Sequence, residues 1–238
     1  MNSYFSEGQH KNVYEDPAYP DVVFKELKYP RETEDYSDPE SKIILHRLLH
    51  SIFPEIIPET RSYAEISDDK GKTVKELWVV DKTPLDPDHE EIRRLHAAAK
   101  DGGLIADSST KITQMTARYQ EKLERDHRYH RTVQTLKDLG ILIDTFKAMN
   151  YTLPEQGSQF AVYLDDVEPF HVLYNHLQQP VLHKNYNAHK LRAYIKERTA
   201  EPAVQQELLS TVDLLDESIL KFAQNNNLPI TNNPETYG

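Results

Sequence analysis

The run Lys82-Thr83-Pro84-Leu85-Asp86-Pro87 separates two kinds of sequence, and that break constrains the fold more than any other feature. Before it, apolar residues alternate in short runs closed by Pro, Asp and Gly, the pattern of strands and tight turns. After it they recur at three- and four-residue spacing over long stretches, the pattern of amphipathic helices. Such a chain is α+β, and 238 residues suffice for one large domain or two lobes sharing a cleft. The expectation is therefore two-lobed: a β-rich first lobe over 1–82 and a mostly helical, reduced second lobe over 83–238.

Within the first lobe, Asn12-Val13-Tyr14 and Val22-Val23-Phe24 flank a turn built from Asp16-Pro17 and Tyr19-Pro20. The charged stretch 31–39 reads as a loop. Asp38-Pro39-Glu40 then opens a helix over 39–53, with a capping Asp, a Pro at the first position and an acid in the first turn. Its apolar face is Ile43, Ile44, Leu48 and Leu49, and it stops near Phe53-Pro54. Two alternating segments around Asp68-Asp69-Lys70-Gly71-Lys72, Arg61 to Ile66 and Thr73 to Val80, predict a hairpin.

In the second lobe a short helix is expected from Glu90 to Lys100, closed by Gly102-Gly103. A single long helix follows, capped by Ser108-Ser109-Thr110. It carries Ile112, Met115, Tyr119, Leu123, Val133, Leu136 and Leu139 on one face and stops at Gly140. A small β-hairpin is expected near 151–165, across Pro154-Glu155-Gln156-Gly157. Everything beyond reads as helix, clearest in Val204, Leu208, Val212, Leu215, Ile219 and Phe222, with a frayed tail from Thr231.

Charge and composition exclude several classes. A net charge of −11 argues against nucleic acid as the main partner, because phosphate backbones attract basic surfaces. No apolar run approaches the ~20 residues of a membrane span, so no span is expected. The N-terminus shows neither the basic patch nor the apolar stretch of a signal peptide. Zero cysteines remove disulfides, thiolate nucleophiles and zinc–thiolate sites and suit a cytoplasmic location. His46 and His50, and His171 and Asn175, read as helical pairs four apart, with His127 and His130 three apart. Arg47 stands where H-E-x-x-H would need a glutamate, so structural histidines are the better reading.

Four segments carry side chains suited to chemistry. Lys25 closes the apolar run Val22-Val23-Phe24; by itself it reads as a strand-end lysine in water. Glu40 is a first-turn acid favourable to the helix dipole. Asn150 follows Leu136-Lys137-Asp138-Leu139-Gly140-Ile141 by ten residues after the glycine, with Asp144 between them as a candidate helix cap. Asp165 and Asp166 end the strand Phe160 to Leu164. Adjacent carboxylates repel, and a hard dication relieves them; the alternative is one acid in water and one capping a turn.

Taken in order, these segments resemble a divergent, compact protein-kinase-like fold over residues 8–169. The resemblance implies ATP and Mg²⁺. It makes Lys25 the phosphate-contacting lysine paired with Glu40, and Trp78 a wall of the adenine pocket or plain core. Asn150 and Asp165, with Asp166, become the metal ligands. In that register Thr145 occupies the place of the catalytic aspartate, and Asp144 reaches it only if the loop carries one extra residue. Gly8-Gln9-His10-Lys11-Asn12-Val13 has one glycine where the phosphate-covering loop has three, and Asp165 lacks the following Phe-Gly. The implied function is an ATP/Mg-dependent phosphotransferase acting on a hydroxyl acceptor. The alternative is a catalytically inactive pseudokinase serving as a nucleotide- or protein-binding module, and a third reading is an unrelated α+β adaptor.

Overall fold

Alternation and helical spacing resolve into ten strands and six α-helices among the described residues. In chain order they are β1 (Ser3–Glu7), β2 (Lys11–Glu15), β3 (Val22–Lys28), α1 (Pro39–Ile52), β4 (Thr60–Ser67), β5 (Thr73–Asp81), α2 (Pro87–Ala98) and α3 (Ala106–Arg125). There follow α4 (His127–Asp138), β6 (Tyr151–Thr152), β7 (Val162–Tyr163), β8 (Phe170–Tyr174), β9 (Pro180–Lys184), α5 (Ala188–Arg198), α6 (Pro202–Asn225) and β10 (Ile230–Thr231). The computed structural model describes residues 3–7, 11–28, 38–67, 69, 73–99, 106–145, 147–155, 157–165 and 167–231. Expectations for Gly8 to His10, the charged loop 31–37, the turn residues Asp68 and Lys70 to Lys72, Gly102-Gly103 and Asp166 fall outside them. The chain is α+β and divides into two units: 1–35, 55–132 and 145–165 in the first, and 36–54, 133–144 and 166–238 in the second.

The first unit is built on an antiparallel sheet of order β1-β2-β3-β5-β4. The β2–β3 turn forms where Asp16-Pro17 predicts it: the Asp16 carboxylate accepts from the Ala18 amide (2.9 Å) and its carbonyl from the Tyr19 amide (2.9 Å). Lys25 stands opposite Val13 on β2 and Trp78 on β5. The run Lys82 to Pro87 leads from β5 into α2 inside this unit. That helix starts three residues before the expected Glu90, because Asp86 caps it through the Asp88 amide (3.0 Å) with Pro87 at the first position.

The expected single helix ending at Gly140 is two, α3 and α4, parted at Asp126. No Pro or Gly causes this break. The Asp126 carboxylate accepts from the Arg128 amide (2.8 Å) and is gripped by the Arg128 guanidinium, which makes Asp126 the cap of a new helix. Thr132 on α4 then holds the strand segment before β7. Its hydroxyl accepts from the Ala161 amide (2.9 Å) and lies within donating distance of the Arg128 carbonyl (2.9 Å) and the Ala161 carbonyl (3.1 Å). Thr132→Val keeps the shape but leaves the Ala161 amide with only its 3.4 Å contact to the Arg128 carbonyl. The expected cost is about 1–2 kcal/mol, read as a lower denaturant midpoint at unchanged slope.

In the second unit α1 packs on α6, and its buried face is Ser41, Lys42, Leu45, His46, Leu48 and Leu49. The expected Ile43 and Ile44 are only half-buried, because polar residues on the inner face find partners there. Ser41 bonds Ser218 (2.9 Å), Lys42 pairs with Glu168 (2.7 Å), and His46 Nε2 accepts from the Val167 amide (3.1 Å).

The segment after residue 165, expected to be helical throughout, contains a three-stranded sheet of order β10-β9-β8. Phe170 to Tyr174 alternates in the manner of a strand. Asn175 turns the chain by accepting from the Leu177 (2.9 Å) and Gln179 (3.0 Å) amides, with Gln178 at φ 58°. His171 therefore sits on a strand, not on a helix with Asn175. Thr231, expected to fray, pairs beside His183 on the parallel strand β10.

Candidate functional site

Lys25 reaches the residue before the paired acids. Its Nζ donates to the Leu164 carbonyl at 2.6 Å, and the Leu164 amide donates to the Asn150 carbonyl at 2.7 Å. Those two bonds bring the strand-borne ammonium, the buried Asn150 and the start of the Asp165 segment together in the first unit. Local structure explains the arrangement. Asn150 ends a 3₁₀ turn from Ala148, then pairs through Tyr151 with Tyr163, so the strand ends carrying Asn150 and Leu164 are neighbours.

A cavity of about 300 Å³ lies beside Lys25, walled by Val13, Val23 and Val80 from the sheet and by the segment from Asp81 to Leu85. Leu164 and Arg93 also line it. Arg93 is the site residue that sequence reasoning missed. It sits on α2 one turn after His89, and its Nε donates to His89 Nε2 at 3.0 Å. Burial pushes the Arg93 guanidinium down to about 10, against the opposing pull of Asp165, Tyr119 and Glu15. An arginine on an amphipathic helix carries no local signal of this role; only the packing of α2 reveals it.

His89 is completely buried, and burial followed by the charge of Arg93 pushes its imidazole down to about 3. The ring is therefore neutral and accepts the Arg93 bond. The unfolded chain takes up this proton below about pH 6.5, whereas the folded chain resists it until about pH 3. Stability contributed by His89 is thus full above pH 6.5 and lost as the pH falls. Between pH 6.5 and 4.5 the expected loss is on the order of 2–3 kcal/mol. Denaturant unfolding at pH 7 and 4.5 of the wild type and His89→Gln checks it: the variant should lose less, and equal losses would place the acid sensitivity elsewhere.

The remaining sequence-derived candidates fall as follows. Trp78 is fully buried, packs edge-on against Tyr63 (4.6 Å between centroids) and donates to Glu76 (2.9 Å); it is not among the residues lining the cavity. Asp165 is half-buried and coupled to Arg93. Glu40, which is exposed, and Asp144, half-buried, belong to the second unit. Thr145, in the first unit, accepts from the Tyr129 hydroxyl through its carbonyl (3.3 Å). Among the described residues no group of three or more His, Asp or Glu is placed to hold a metal ion, and no helix is long and apolar enough to cross a membrane.

No family model matches the chain, and no curated protein matches it. Among solved structures it is similar to the bifunctional kinase-methyltransferase WbdD at 13% identity and a TM-score of 0.34, with 92% of this chain and 48% of that chain covered. A second WbdD structure gives 13% identity and a TM-score of 0.34 over 96% and 50%. A third, WbdD with the kinase inhibitor LY294002, gives 14% and 0.32 over 92% and 49%. TM-scores of this size do not establish a shared fold. The chain spans about half the length of the solved structures it matches.

Proposed function

We propose that the first unit binds a nucleoside triphosphate with Mg²⁺ and that the chain is a kinase-like phosphotransferase acting on a hydroxyl acceptor. The single observation that carries this reading is the 2.6 Å bond from Lys25 Nζ to the Leu164 carbonyl, one residue before Asp165 and beside an apolar-walled cavity. Val13, Val23 and Val80 suit the faces of a planar base, and a volume of about 300 Å³ is at the lower end for small-molecule sites. Lys25 would contact phosphate oxygens, and Asn150 and Asp165, with Asp166, would offer oxygen ligands. Bound Mg²⁺ would supply neutralisation of the phosphate charge. Asp144 would accept the proton of the attacking hydroxyl. A two-lobed architecture over 1–82 and 83–238, Glu40 as the partner of Lys25, and a cytoplasmic location belong to the same proposal.

A second reading is favoured by one observation: the position in register with a catalytic aspartate is Thr145, which has no carboxylate. On that reading the chain is a pseudokinase that binds nucleotide, or a protein partner, without turnover. Release or transfer of the γ-phosphate from labelled ATP separates the two. Turnover by the wild type that vanishes in Asp165→Ala supports the enzyme; nucleotide binding with no turnover in either supports the pseudokinase.

A further inference from the structure

We propose that β8 is a dimerisation strand, which pairs antiparallel with β8 of a second copy of this chain. The pairing involves the second unit alone and is independent of nucleotide binding. The hairpin β8–β9 is unusual already as sequence. Pro169 to His183 is 15 residues without Asp, Glu, Lys or Arg, the longest such run in the chain. In a chain that is 28% charged, a run of that length holds about four charged residues on average, so this hairpin lacks the charges that ordinarily guard a sheet edge. The sheet order β10-β9-β8 makes β8 an edge strand among the described residues.

The hydrogen-bond pattern tells which backbone groups the edge offers. The Asn175 amide donates to the Gln179 carbonyl (3.0 Å) and the Asn185 amide to the Pro169 carbonyl (3.0 Å), so Pro169 and Asn175 face β9. By alternation His171 and Leu173 also face β9, opposite His183 and Val181. Phe170, Val172 and Tyr174 therefore turn their N–H and C=O groups outward. Beside them lie apolar side chains in water: Leu173 is 38% exposed, Tyr174 58% and Leu177 64%.

This edge is complementary to itself. A two-fold axis at Val172 sets Val172 opposite its own copy and Phe170 opposite Tyr174 of the partner subunit, which uses all three outward sets of donors and acceptors. Charge selects the occupant. Each copy carries −11, so two copies repel over most of their surface, and like charges placed opposite on a sheet are destabilising. At an uncharged hairpin that cost is least. A basic partner would find no carboxylate in this run, and a nucleic acid or anionic membrane no Lys or Arg. Burying Leu173, Tyr174 and Leu177 against a second copy adds apolar area to the backbone bonds.

Sedimentation equilibrium of the full chain over a range of concentrations, with no ligand added, tests the pairing. The wild type should associate to a dimer and no further. Val172→Pro removes an outward amide that β9 does not use, so the strand should still form while the dimer weakens by at least about 10-fold. Val172→Lys and Val172→Glu each set like charges opposite across the axis. Each alone should be monomeric, and an equal mixture of the two should recover a mixed dimer. Circular dichroism of the dilute variants is the control for folding, and if Val172→Pro does not fold, the charged pair decides. A wild type that stays monomeric at every concentration overturns the second copy as occupant and leaves the edge to a strand of another protein. A dimer that Val172→Pro leaves at wild-type affinity, or charged variants that do not recover one another, places the contact elsewhere and overturns the pairing.

Discussion

Gly140→Ala should destabilise the protein by about 3 kcal/mol, lowering the thermal midpoint by roughly 6–12 °C. Two independent costs act at this position. Gly140 has φ +67°, a left-handed conformation that a side chain strains. A Cβ built there would also sit 2.6 Å from the Cβ of Asn187. Neither can relax cheaply. The left-handed residue closes α4 in a Schellman arrangement, with the Ile141 amide on the Leu136 carbonyl (3.0 Å) and the Gly140 amide on the Lys137 carbonyl (2.8 Å). Asn187 is equally fixed, because its side chain caps α5 by accepting from the Lys190 amide (3.0 Å). A double-mutant cycle with Asn187→Gly separates the costs: removing the second Cβ should restore the steric part and leave the conformational part. A midpoint unchanged in Gly140→Ala would contradict this account of the helix end.

Lys25→Met should weaken ATP binding about 10- to 100-fold while the unliganded protein stays folded. Methionine keeps an apolar stem of similar length at a position that pairs with Val13 and Trp78 in the sheet, so the register has no reason to change. What disappears is a cation within 2.6 Å of the Leu164 carbonyl, and charge-assisted bonds of this kind contribute about 1.5–3 kcal/mol. The melting curve without ligand is the control. It should move by no more than a few degrees. Equal affinity in wild type and variant would remove Lys25 from the binding site.

Strand alternation and turn chemistry made much of the first unit legible. Asp16-Pro17 turns where it reads as a turn; in the second unit Pro39 opens α1 at the expected place, but without the expected side-chain cap bond from Asp38. What was not legible turns on side-chain closures and strand pairings that the apolar and breaker patterns do not encode. The break at Asp126 has no Pro or Gly and exists because Arg128 closes on that carboxylate. The strand β10 is two residues long and is defined by pairing with Leu182 and His183, which no local pattern encodes. The same division holds at the site. Lys25, Asn150 and Asp165 can be picked out because each ends or follows a recognisable element, and all three belong to the first unit. Arg93 could not, since an arginine on a helix reads as a solvated residue until α2 is seen beside the cavity.

Equilibrium unfolding with and without ATP and Mg²⁺ addresses the central claim most directly. At a ligand concentration of ~100 Kd the account predicts about 2.7 kcal/mol of added stability, or roughly 5–10 °C in thermal midpoint, and a much smaller gain in Lys25→Met. An unchanged midpoint with every nucleoside triphosphate tried, in a protein that otherwise unfolds cooperatively, would contradict it.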